Sequence, residues 1–124
     1  MTENQEYAHA KQPLILQVKL EDLQLYTHKA LFQFPKNERF LLCADIKNSV
    51  AACMHLTIRM KKKYTKKTTL QEIDIELDYL RTLIRTAYRC GYITEHKWIS
   101  WVGRVDECGK ILGGLLKFYA GRKS

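Results

Sequence analysis

The side chains of this sequence that can do chemistry are cations rather than nucleophiles or metal ligands. Five lysines fall within seven positions, Lys61, Lys62, Lys63, Lys66 and Lys67, and three arginines recur at four-residue steps, Arg81, Arg85 and Arg89. Lysine is a flexible point charge that suits a phosphate backbone without reading bases. Arginines at i, i+4 and i+8 line one side of a helix and present forked donors to phosphate. Two readings stand for each group. The lysine run is either a phosphate contact or an ordinary solvated loop; the arginine stripe either meets phosphates or pairs within its own helix, where Asp78 lies three residues before Arg81. Across the chain, 21 Lys and Arg face 13 Asp and Glu, a formal charge of +8. Such a surplus attracts polyanions at long range and through counterion release. The two groups on that background point to nucleic-acid contact.

Signatures of catalysis are missing. There is no Gly-rich phosphate loop, no Gly-x-Ser-x-Gly, no His-Glu-x-x-His and no pair of Glu-x-x-His segments, the last being the mark of a di-iron bundle. Asp74 and Asp78 share a helix face near its N-terminus, where the helix dipole alone accounts for carboxylates. No enzyme, no catalytic residue and no cofactor is therefore expected. Cys43, Cys53, Cys90 and Cys108 are widely spaced, and with His9, His28, His55 and His96 they do not supply zinc-ligand spacing. Cys43, Cys53 and Cys108 fall on apolar helix faces, where a reduced cysteine behaves as a small buried hydrophobe. The start is polar, without the basic-then-apolar order of a secretory leader, and no apolar run approaches the ~20 residues of a membrane span. A cytoplasmic location is expected.

The elements that position these cations follow from periodicity. Residues 1–13 contain Pro13 and show no period, so a loose tail is expected there. Leu16, Leu20, Leu23, Thr27 and Ala30 predict a first helix from about Leu16 to Gln33, stopped at Phe34-Pro35. Pro35 suits the first turn of a second helix running to about Tyr64, with Cys43, Ile46, Val50, Cys53, Thr57, Met60 and Tyr64 as its seam. Thr69 and Glu72 have capping-box spacing before a third helix through Leu70, Ile73, Leu77, Leu80, Ile84 and Ala87, closed by Cys90-Gly91. Thr94 is placed to cap a fourth helix carrying Trp98, Trp101, Val105, Cys108, Leu112, Leu115 and Tyr119. The expected fold is all-α, an up-down-up-down four-helix bundle over residues 14–120 with a basic tail at 121–124.

The fourth helix holds Gly103, Gly109, Gly113 and Gly114, each costing about 1 kcal/mol against alanine. Gly109 and Gly113 share a face that lets a neighbouring helix approach, either in the same bundle or in another subunit. With Trp98, Trp101, Leu112 and Leu116 they form the expected oligomer or partner interface.

Three segments carry a family resemblance. Residues 34–40 read Phe-Pro-Lys-Asn-Glu-Arg-Phe, Asp74 to Arg85 open the third helix, and residues 109–117 read Gly-Lys-Ile-Leu-Gly-Gly-Leu-Leu-Lys. They resemble the Avd-type accessory proteins of diversity-generating retroelements, over about residues 20–119. The resemblance implies a ring-like homo-oligomer, a pentamer. It also implies binding to the element's reverse transcriptase and to its template RNA and cDNA, in support of mutagenic cDNA synthesis and retrohoming. Where that family often has Gly-Gly-Trp, this chain has Gly113-Gly114-Leu115. A related bundle protein, encoded in intervening sequences of 23S ribosomal RNA genes, is the alternative; the first segment fits both, and the Gly-Lys-Ile-Leu-Gly-Gly ending favours the retroelement type. A purely structural scaffold oligomer is the third possibility.

Overall fold

The computed structural model describes the backbone of residues 3–120 and the side chains of residues 12–120. Four helices follow one another: α1 (Glu3–Leu31), α2 (Leu42–Lys62), α3 (Lys67–Arg89) and α4 (Glu95–Ala120), with a short 3-10 turn at Lys36–Glu38. Among the described residues there is no strand, and no helix is long and apolar enough to cross a membrane. Each helix packs on its neighbours in sequence, and α4 closes the bundle against α1. Gln33 meets Lys97, Thr27 meets Trp101 and Lys19 meets Glu107, so α1 and α4 run antiparallel. Arg81 opposite Asp106 and Tyr88 opposite Trp98 give α3 and α4 the same relation.

The three–four alternation places one stripe of each helix inside. Leu16, Leu20 and Leu23 of α1 meet Ile46, Val50, Cys53 and Met60 of α2, and Leu70, Ile73, Leu77, Leu80 and Ile84 of α3 meet Trp101, Val105, Cys108, Leu112 and Leu115 of α4 in one apolar core. Cys43, Cys53 and Cys108 are buried in it and Cys90 is exposed. Burial pushes the Cys53 thiol up to about 12 and the Cys108 thiol up to about 11, which keeps both in the neutral, weakly nucleophilic form.

The starts of α1 and α2 differ most from the sequence pattern. α1 begins at Glu3 rather than near Leu16 and contains Pro13. Pro13 is buried, three residues before Leu16. It therefore extends the inward face, and burial of its ring offsets the backbone bond that proline removes. Residues 1–2 and the basic segment 121–124 lie outside the described residues. α2 begins at Leu42 rather than at Pro35. Phe34 is buried and packs on Tyr92 and Trp101, with ring centroids 5.6 and 6.2 Å away. The Tyr92 hydroxyl donates to Glu38 at 2.7 Å. These contacts draw residues 34–38 toward the α3–α4 connection, so the chain turns a corner instead of continuing as helix.

The α3–α4 connection follows its predicted chemistry. Gly91 has φ +81°, Tyr92 N–H donates to Ala87 at 3.0 Å and Gly91 N–H donates to Tyr88 at 2.9 Å. These two bonds satisfy the last carbonyls of α3 in a Schellman motif. Thr94 Oγ1 accepts from Lys97 N–H at 3.2 Å and caps α4.

Trp101 is among the largest fully buried side chains, at 0% exposure, and its indole N–H donates to Thr27 Oγ1 at 3.1 Å. Thr27→Val should orphan that donor and cost about 1–3 kcal/mol in urea denaturation; an unchanged midpoint would mean that the bond contributes nothing. A second outcome concerns pH. The hydrogen bond to Glu38, followed by burial, pushes the Tyr92 phenol up to about 12 from 10.0. A phenol with a higher pKa in the fold adds stability that is complete below pH 10 and lost as pH rises through about 12. Tyr92→Phe should lower the melting temperature at pH 8 and flatten its alkaline decline, as followed by circular dichroism.

Candidate nucleic-acid interface

The lysine group closes the α2–α3 hairpin, where only residues 63–66 separate the helices. The last carbonyls of a helix lack an i+4 partner; at the end of α2 the Lys63 N–H reaches Arg59 and Met60, and the Lys66 ammonium adds further donors. Its Nζ donates to the carbonyl oxygens of Met60 at 2.9 Å, Lys61 at 3.3 Å and Lys63 at 2.9 Å. A cation at this place also complements the negative end of the helix dipole. Partial burial lowers the Lys66 pKa from its ordinary value. Lys66 is therefore a cap, which removes it from the phosphate contacts expected of the group. Because α3 begins at Lys67 with Lys66 as its N-cap, Thr69 lies inside the first turn, buried, and the capping box is not formed.

The other four lysines point outward. Lys61 donates to the side-chain oxygen of Gln17. Lys62, Lys63 and Lys67 are exposed, and no carboxylate pairs with them among the described residues. Tyr64, expected as the last seam residue of α2, instead stands 98% exposed among them. An exposed ring between lysines is a stacking surface for an unpaired base, and its place within a basic run was the only sequence signal for it.

The arginine stripe divides. Arg81 Nη1 donates to Asp78 at 2.6 Å and Nε to Asp106 at 2.8 Å. Its guanidinium thus bridges two turns of α3 to α4, and its Nη2 lies 2.7 Å from where a Cβ on Gly109 would stand. Gly109 makes room for this side chain, not for another helix backbone. Arg85 and Arg89 are exposed and have no carboxylate partner among the described residues. The hairpin lysines and these arginines are not brought together. Lys67 and Arg89 open and close α3, roughly 33 Å apart at 1.5 Å per residue.

The expected interface residues also divide. Trp101 and Leu112 are both fully buried; they belong to this chain's own core and offer a second molecule nothing. Trp98 is half-buried and stacked on Tyr88 at 4.6 Å, and Leu116 is half-buried. Gly113 has open space where its side chain would be, so no helix of this bundle approaches it. Another group of polar side chains, three of them cations, escapes sequence inspection. His28, Lys36, Arg39 and Lys47 rim one cleft at the α1–α2 corner. They come from two helices and a turn and share no period.

A family model described as bAvd-like matches residues 14–119, nearly the whole described bundle. No curated protein and no solved structure matches the chain. The chain belongs to the bAvd-like family, the Avd-type accessory proteins.

The division of the lysines has a measurable consequence. Lys66→Ala should lower stability by about 1–2 kcal/mol, since it leaves two α2 carbonyls and that of the C-cap Lys63 without their charged donor. Alanine at Lys62, Lys63 or Lys67 should change it by less than about 0.5 kcal/mol, as for most exposed sites. Equal effects in chemical denaturation would remove the capping role of Lys66.

Proposed function

From membership of this family we propose that the protein is the non-catalytic accessory subunit of a diversity-generating retroelement. In this role it binds the element's reverse transcriptase together with template RNA and cDNA, and it supports mutagenic cDNA synthesis and retrohoming. The observation that carries the nucleic-acid part is the exposed hairpin of Lys62, Lys63 and Lys67 around Tyr64. Mobile cations hold the sugar–phosphate chain without base preference, and the ring adds sequence-tolerant stacking. That combination suits a protein that must hold template and product of changing sequence.

Self-association into a ring, a homopentamer, belongs to the same proposal. Leu14, Val18 and Leu25 are exposed on α1 at steps of four and seven residues, which place them on one outer side. The open glycines Gly113 and Gly114 on α4 leave space for a close neighbour. Apolar surface of this kind favours burial against another molecule. The reverse transcriptase is the second candidate for such surface, and a cytoplasmic location accords with a role beside it.

RNA titration at increasing salt tests the proposal. Binding should weaken linearly on a log–log plot. Replacing Lys62, Lys63 and Lys67 together with alanine should lower that slope by about 2, at about 0.7 per single-strand phosphate contact. The assembly mass by light scattering should not change. Absence of RNA binding at low salt would refute the nucleic-acid role.

A further inference from the structure

The α1–α2 corner holds a second arrangement of cations, at the opposite end of the bundle from the lysine hairpin. Here a cleft of about 280 Å³ opens between the end of α1, the turn after Pro35 and the first turns of α2. Its floor is apolar, with Phe34 and Cys43 buried beneath it. Its rim carries His28, Lys36, Arg39 and Lys47, and no carboxylate lines it. The nearest acid in the turn, Glu38, accepts the Tyr92 hydroxyl and is not among the lining residues. Phe32 also lines the cleft and is 88% exposed. Here, as at the hairpin, an exposed ring is left in water beside cations that no lining carboxylate offsets.

We propose that this corner cleft seats one unstacked nucleotide of a single-stranded nucleic acid, with its phosphate between Lys36, Arg39 and Lys47 and its base against Phe32. The chemistry of the occupant follows from the lining. An apolar floor with three flexible cations above it fits an anion that carries a flat, weakly polar body, and a volume of this order accommodates one nucleotide rather than a helix. Bases within a duplex are disfavoured, because a paired base cannot leave its stack to meet Phe32 without the cost of unpairing. Stacking on an exposed ring is indifferent to base identity, so the cleft holds a strand at one point without selecting its sequence. An acidic peptide would satisfy the cations but leave Phe32 without a flat partner, which favours the nucleotide.

This inference rests on the proposed nucleic-acid role, and the test separates the two. The full chain and three variants, Phe32→Ala, Arg39→Gln with Lys47→Gln, and Lys62→Ala with Lys63→Ala and Lys67→Ala, are titrated against fluorescent single-stranded and duplex RNA of equal length. Phe32→Ala should weaken single-strand binding by about 5-fold or more, the lower end of a base–aromatic stack, and leave duplex binding unchanged. Because Phe32 is so exposed, the variant should keep the parent's circular dichroism and melting temperature. The Arg39 and Lys47 variant should lose single-strand affinity as well and reduce its salt slope, whereas the hairpin variant should weaken single-strand and duplex binding alike. Parent-like single-strand affinity in both corner variants, with the hairpin variant impaired, would overturn the cleft while leaving the nucleic-acid role intact. Competition for the cleft by polyglutamate but not by a single strand would also overturn it, in favour of an acidic protein partner. No binding by the parent would remove the broader role and the cleft with it.

Discussion

The indole of Trp101 sits where three parts of the chain meet. Its N–H is satisfied by Thr27 of α1, its edge faces Tyr26 with centroids 6.1 Å apart, and Phe34 at the corner packs on it. A buried indole is stable only with its donor paired. The bond therefore sets α4 at one height along α1, and every cross-helix pair on that seam follows from the same register. Lys97 reaches Gln33 and Lys19 reaches Glu107, while Arg104 lies over the Tyr26 ring at 4.3 Å. Through Phe34 the same cluster holds the turn that carries Lys36 and Arg39, so the geometry of the corner cleft depends on the aromatic core below it.

The bundle's cations divide according to whether a local partner can reach them. Lys19, Arg81 and Arg104 are engaged in the seams, and Lys66 closes a helix end. Lys62, Lys63, Lys67, Arg85 and Arg89 are exposed and retain their charge for an external anion. Formal charge describes attraction at a distance, but a guanidinium already held by two carboxylates presents little net field to a phosphate. The number of available contacts is thus smaller than the Lys and Arg total.

Much of the fold is legible in the sequence because helix burial is periodic. The seam from Cys43 to Met60, the stripe from Leu70 to Ala87, the Gly91 stop and the Thr94 cap each depend on residues within one or two turns of each other. Pro13 escapes because its cost is offset by burial that only the folded core supplies. The corner at residues 35–41 escapes because Glu38 is held by Tyr92, 54 positions away. The candidate site is less legible for the same reason. Asp78 beside Arg81 is a local pair that the sequence itself displays, but Asp106 and the cleared space at Gly109 belong to another helix. Lys66 has the composition of a solvated loop, and only the path of the hairpin makes it a cap. His28, Lys36, Arg39 and Lys47 become neighbours only when the chain turns.

The order of contacts around the bundle also bears on how fast it forms. Three of its four seams join helices that are consecutive along the chain, and only the closure of α4 onto α1 spans most of the sequence, with Thr27 and Trp101 separated by 74 positions. Local pairings lose little chain entropy, and helical proteins dominated by them fold within microseconds to milliseconds. Loop closure grows only logarithmically with length, so even the long-range seam adds a small barrier once three helices are docked. The arrangement that shields Trp101 therefore leaves its apolar face exposed only briefly, which limits aggregation of a chain that keeps other apolar groups on its surface.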